Sequence, residues 1–256
     1  MRGPVSITLE RRGPSLVARL TLERAAKLNS LDTSALEGIV QAVRGLPTEV
    51  RAVVLTGAGE RAFAGGANID ELAALDPGSA REFITRVHLA CAALRECPVP
   101  VIARVNGFCL GAGLELAASC DLRLAAAHAV FGMPEVRLGI PSVVEAALLP
   151  RLVGAGRTRW LVMTGETIGA AQALAWGLVE RVTPLPELDA AVDAALDALL
   201  AAGDQALRAQ KRLCKLWEDA PLDDCVRVSI VEFAAAYVGD EPQRMIGEFL
   251  ATRGKR

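Results

Sequence analysis

In Asn106-Gly107-Phe108-Cys109-Leu110-Gly111-Ala112-Gly113-Leu114-Glu115-Leu116-Ala117 a run of small residues follows one element and opens another. Before it, Pro98–Val105 reads as a strand entered through prolines; after Gly113 the apolar spacing is helical. A strand–glycine–helix junction leaves backbone N–H groups without partners and lets a ligand approach the main chain closely. Glu115 falls in the first turns of that helix, where the macrodipole favours an anion. Free N–H groups at the same end suit a developing oxyanion. The plainer reading is a helix-initiating glycine cluster with a Glu placed for capping.

Two other segments share this character. Upstream, Ala62-Phe63-Ala64-Gly65-Gly66-Ala67-Asn68-Ile69-Asp70-Glu71-Leu72 again runs from a strand through glycines into a helix. Downstream, Phe131-Gly132-Met133-Pro134-Glu135-Val136-Arg137-Leu138-Gly139-Ile140-Pro141 sets one Glu between a proline and an apolar run. An acid so placed can be partly desolvated, with a raised pKa suited to general-acid work; the alternative is a surface-turn glutamate. The glycines fit other loops poorly. Gly111-x-Gly113 lacks the third glycine of a dinucleotide fingerprint, since Leu116 stands there, and no Gly-Lys-Ser/Thr or Gly-x-Ser-x-Gly occurs.

Around these segments the chain alternates. Val5–Glu10 and Ser15–Leu22 read as strands, the second with period-two alternation. Ser34-x-x-Glu37 is a capping-box pattern ahead of Leu36, Ile39, Val40 and Val43 at helical spacing. Arg51–Thr56 is a short buried strand, and Ile69–Leu75 and Ala80–Glu96 are helical. From about Leu188 onward nearly everything is helical, which places a boundary near 195 and gives regions 1–195 and 196–256. This is a mixed α/β chain with crossover connections.

Composition narrows the function classes. A net charge of −2, with no basic block longer than Arg253–Arg256, argues against nucleic acid as the main partner. No stretch suits a membrane span or a signal peptide. The six cysteines show no Cys-x-x-Cys spacing and read as reduced thiols of a cytoplasmic protein. Only His88 and His128 are present, so a histidine-based metal site is not expected.

Taken in order and spacing, the segments resemble the crotonase superfamily of enoyl-CoA hydratases and isomerases over nearly the whole chain. Leu22–Leu31 is similar to the family's Arg-Pro-x-x-x-Asn-Ala-Leu segment, with Ala25 where proline is usual. Leu55-Thr56-Gly57 through Ala67 resembles its first oxyanion segment, and Gly111–Glu115 its second. Cys120-Asp121-Leu122-Arg123 and the stretch from Thr164-Gly165-Glu166 to Gly177-Leu178-Val179 match later parts. The resemblance implies a spiral of ββα units, a helical C-terminal region that builds trimers or hexamers, an acyl-CoA thioester as substrate, and neither metal nor cofactor. It also implies that the backbone N–H groups of Ala67 and Ala112, both at helix starts, polarise the thioester carbonyl, each worth about 3 kcal/mol.

By the same resemblance Glu115 activates the water that attacks Cβ, and Glu135, protonated in the enoyl complex, supplies the proton to Cα. Substrate contacts carry over to Lys27, Leu28, Gly65, Ala67, Ile69, Gly111, Pro134, Glu145, Phe249 and Lys255. Lys211 lies in the same C-terminal region. Some positions depart from the pattern: Asn68 and Asp70 stand where hydratases tend to carry Asp and Lys, Ala112 where Gly is commoner, and Ser142–Ala147 where the family has a glycine-rich segment. Glu145 within that departure reads either as a third acid near the substrate or as a solvent-facing helix-start residue. The leading activity is reversible hydration of a trans-2-enoyl-CoA. An isomerase, a hydrolase, a decarboxylase and a non-catalytic acyl-CoA-binding protein are the alternatives.

Overall fold

Ten strands and eleven helices order the chain in a computed structural model that describes residues 3–253. The strands are β1 (Val5–Arg12), β2 (Ser15–Leu22), β3 (Val50–Gly57), β4 (Ala62–Ala64), β5 (Val101–Val105), β6 (Phe108–Leu110), β7 (Leu122–Ala126), β8 (Val130–Gly132), β9 (Thr167–Gly169) and β10 (Arg181–Thr183). The helices are α1 (Thr33–Arg44), α2 (Ile69–Leu72), α3 (Pro77–Glu96), α4 (Ala112–Ala118), α5 (Leu149–Val153), α6 (Ala155–Thr164), α7 (Ala170–Trp176), α8 (Leu188–Ala201), α9 (Asp204–Asp219), α10 (Leu222–Ala236) and α11 (Glu241–Arg253).

Long and short strands sort into two sheets. One has the order β1-β2-β3-β5-β7-β10, and the other β4-β6-β8-β9. Each turn of chain lays a strand in the first sheet and then one in the second, as in β3–β4, β5–β6 and β7–β8. Successive turns pair in parallel in both sheets, which makes a spiral. The central strand β3 is buried almost throughout, as its run of Val and Leu requires when both faces are covered. On one face Leu36 and Ile39 of α1 and Phe83, Val87 and Leu94 of α3 join the main core. On the other, Leu188, Val192 and Leu196 of α8 cover Val54, Ile102 and Leu124.

Several boundaries differ from those expected. The cap of α1 is Asp32, whose Oδ1 accepts from the Ala35 N–H at 3.0 Å; Ser34 donates to Asp32, and Glu37 pairs with Arg86. A carboxylate one residue ahead of the helix reaches the orphan N–H directly, worth about 1 kcal/mol, so the Ser34–Glu37 box does not form. The capping box occurs instead at Asp76 and Ser79, with Pro77 opening α3. That stop shortens α2, which ends at Leu72 with Ala74 and Leu75 held only by i→i+3 bonds. The boundary expected at 195 falls inside α8, which packs on the sheet as one piece. The less buried helices begin with α9. No helix among the described residues is long and apolar enough to cross a membrane.

Candidate active site

Two turns of the spiral deliver backbone to one place. After β4, Leu31 uses both its N–H and its C=O to bridge Ala67, bonding Gly66 O at 2.9 Å and the Asn68 N–H at 2.8 Å. In a parallel bridge these bonds come from the residues flanking Ala67, so Ala67's own N–H faces the opposite side. After β6, the Gly111 carbonyl accepts from Leu114 and Glu115 and starts α4, leaving Ala112 as its first residue. Neither the Ala67 nor the Ala112 N–H has a hydrogen-bond acceptor among the described residues. Ala112 sits at a helix start as expected. Ala67 does not: it lies in an extended bridge ahead of Asn68, the cap of α2.

Two glycines let these segments meet. Gly66 has φ +102° and Gly111 φ +51°, conformations that side chains rarely adopt. A Cβ on Gly111 would stand 3.9 Å from the Gly66 Cα and would collide with Oε1 of Glu135. The two donor segments and Glu135 are therefore packed backbone to carboxyl.

A cavity of about 580 Å³ opens here. Of the expected contacts, Gly65, Ala67, Ile69, Gly111, Ala112 and Pro134 line it, together with Glu115 and Glu135. The opposite wall is apolar and comes largely from Leu72, Leu75 and α3, with Phe83, Ile84 and Val87. Such walls bury an apolar ligand while a few polar groups fix its orientation.

The two carboxyls have different surroundings. Glu115 is 4% exposed, and its Oε1 accepts from the Ala146 N–H at 3.0 Å. Burial pushes its pKa from a carboxyl's ordinary 4.5 to about 8; the Ala146 bond opposes this, and the negative neighbours Glu135 and Glu145 add to it. Glu115 is therefore held toward its neutral form near pH 7. Glu135 opens a 3-10 turn after Pro134, and its Oε2 accepts from the Ser142 hydroxyl at 2.8 Å. Ser142 also lines the cavity. It escaped sequence reading as a site residue because only the turn at Gly139 brings it back to Glu135.

Other expected residues are placed differently. Glu145 is 4% exposed and points inward to His88, which removes the solvent-facing reading; it lies behind Glu115 and is not part of the cavity wall. Lys27 pairs with Asp70 at 3.2 Å, and the Leu28 carbonyl accepts from the Gly65 N–H at 2.8 Å; both residues support the first donor segment without lining the cavity. Lys211 is tied to Asp121 and to the Leu94 and Val99 carbonyls, a structural post. Phe249 lies exposed on α11 against Arg253 and does not reach the cavity within this chain. Lys255 lies outside the described residues.

Comparison with known proteins agrees with this geometry. A family model described as Enoyl-CoA hydratase/isomerase matches residues 12–223. The chain is similar to a short-chain-enoyl-CoA hydratase of Clostridium acetobutylicum, 40% identical over 186 residues, covering 72% of this chain and 70% of that protein. It is similar over more of its length to a crotonyl-CoA hydratase of Syntrophomonas wolfei, 33% identical, with 93% of this chain and 92% of the other covered. Among solved structures, an enoyl-CoA hydratase from Bacillus anthracis superposes with a TM-score of 0.91 at 29% identity, covering 96% of each chain.

Proposed function

The chain belongs to the enoyl-CoA hydratase/isomerase family, and from that premise we propose that it reversibly adds water to a trans-2-enoyl-CoA thioester. One observation carries the reading: two N–H groups without acceptors and two carboxyls converge on one largely apolar cavity.

The thioester oxygen takes the Ala67 and Ala112 N–H groups. Their alignment is fixed before the reaction, so they stabilise the enolate oxygen more than the starting carbonyl. Water then bonds to Cβ, one ionised carboxyl takes its proton, and the neutral carboxyl gives its proton to Cα. The pair therefore needs one shared proton, and the two glutamates exchange roles between hydration and dehydration. With the proton on Glu115 the pair is arranged for dehydration of a 3-hydroxyacyl-CoA. Hydration starts from the form with the proton on Glu135. kcat/KM is expected to fall above about pH 8, where Glu115 loses its proton.

CoA is part of the substrate, and no separate cofactor or metal enters this scheme. We also assign the protein to the cytoplasm and to a homotrimer or hexamer. Support for assembly comes from Ile230, Val231, Phe233 and Val238, all exposed on or just after α10. By the family resemblance we also assign Phe249 on α11 to the CoA nucleotide of a neighbouring subunit in the assembled enzyme. The test of the activity is loss of enoyl-thioester absorbance across a panel of trans-2-enoyl-CoAs. Tight acyl-CoA binding with no loss for any chain length refutes hydration.

A further inference from the structure

Two energetic costs sit on adjacent residues directly behind Glu115. Val144 is a β-branched residue at φ +40°, a strained conformation. Next to it the Glu145 side chain is buried, with Oε2 lacking a hydrogen-bond partner among the described residues and Oε1 held by His88 Nδ1 at 2.8 Å. His88 stands on α3 with its side chain half exposed. The following residue, Ala146, supplies the N–H that holds Glu115. Both costs would vanish if the chain relaxed at Val144 and Glu145 swung out to water. That relaxation would also carry the Ala146 N–H away from Glu115.

We propose that His88 and Glu145 act as a positioning pair for the reaction, His88 pinning Glu145 inward so that the strained turn presents the Ala146 N–H to Glu115. The inference rests on the hydratase reading, since it assigns a purpose to the exact placement of one of its acids. Charge points the same way. The groups facing Glu145 and Glu115 are Glu135, His88 and the buried thiol of Cys91. Of the arginines on α3, Arg86 and Arg95 pair with Glu37 and Glu218, and Arg81 lines the cavity with Glu115 and Glu135. Glu145 is thus a like charge beside Glu115, and His88 is its only partner among the described residues.

The experiment compares wild type with Glu145→Gln, His88→Ala and His88→Gln on an enoyl-CoA that the wild type hydrates. His88→Ala lowers kcat about tenfold with KM nearly unchanged, less than the ~10²-fold cost of a full 1 Å misplacement. His88→Gln, which can still donate to Glu145, restores most of it. Glu145→Gln removes the like charge and moves the alkaline limb of kcat/KM to lower pH. Wild-type rates and limbs in both His88→Ala and Glu145→Gln overturn the pairing and leave the hydratase reading intact. A wild type inactive on every enoyl-CoA sinks that reading instead. The ¹³C carboxyl titration of Glu115, assigned with Glu115→Gln, then still tests the contact, because without the pairing its midpoint is the same in Glu145→Gln as in wild type. If Glu145→Gln does not fold, His88→Ala and its Gln rescue carry the test, since His88 lies at the surface.

Discussion

Glu115→Gln is expected to inactivate the enzyme and stabilise its fold. Glu115 titrates near 8 in the folded chain against 4.5 for an ordinary carboxyl. Between those values the folded state holds a proton that the unfolded state has lost, so stability falls as pH rises through this window and levels off above it. At 1.36 kcal/mol per pH unit the whole shift is worth about 4–5 kcal/mol. Water entering through the open cavity screens part of the ionised form, leaving roughly 3 kcal/mol at pH 9 and under about 1 kcal/mol at pH 5. Glutamine keeps an acceptor for the Ala146 N–H but cannot ionise, so it escapes the penalty. For a chain of this length the gain at pH 9 raises Tm by about 6–12 °C. The assay is thermal unfolding of both proteins from pH 5 to 9, with hydration measured in parallel. Parallel Tm curves, or a variant less stable than wild type at pH 9, would refute the claim that burial of Glu115 opposes its ionisation.

Three further outcomes follow from the same geometry. Glu135→Gln removes the second proton carrier and should lower kcat by about 10²–10⁴-fold with little change in KM; a tenfold or smaller loss on an enoyl-CoA would remove Glu135 from the chemistry. Ala112→Pro replaces the donor N–H at the first position of α4, where proline suits the helix, so kcat should fall about 10²–10³-fold with the circular-dichroism spectrum unchanged. Gly111→Ala and Gly113→Ala should both lower Tm, the first because φ +51° strains any side chain and the second because its Cβ collides with the Ala64 backbone carbonyl. Only at 111 does the new Cβ also meet the Glu135 carboxyl, so turnover of the folded protein should fall further there; equal turnover in the two would contradict the packing.

Local rules made parts of this molecule legible in sequence and left others hidden. Ser15–Leu22 alternates because one edge of the first sheet is less covered than its centre, and the strand lies where the pattern put it. Leu36, Ile39 and Val43 likewise mark the buried face of α1. Glu115 and Glu135 were singled out by their glycine- and proline-rich neighbours, but nothing local joins them. Their meeting depends on parallel pairing of β6 with β8. The direction of the Ala67 N–H was equally hidden, since Leu31 fixes it from a distant part of the chain. So was the His88–Glu145 pair, because a histidine in a helical pattern carries no sign of the turn that will pack beside it. The expected boundary near 195 lies within α8, because helical text begins at Leu188 both for a helix that packs on the sheet, as α8 does, and for one with no buried residues, such as α9.

The position of Glu115 sets two effects against each other, and their sizes decide what the site can do. An acid in the first turn of a helix is favoured as an anion by about 0.3–1 kcal/mol, up to ~2 kcal/mol in a partly buried setting. That could lower its pKa by at most about 1.5 units. The net movement is upward, to about 8, so desolvation outweighs the dipole. The reason is geometric. The Ala112 N–H at the start of α4 faces the cavity, and Glu115 has instead a single backbone donor, from Ala146 on another element. On the proposed reading the positive end of α4 is left for the substrate's oxyanion, while the enzyme's own acid takes its donor from another element. If that end were turned onto Glu115, the carboxyl would ionise readily and the substrate oxygen would lose a donor. Keeping the two apart leaves a proton on Glu115 near neutral pH, and a reaction run in both directions requires a proton within the carboxyl pair.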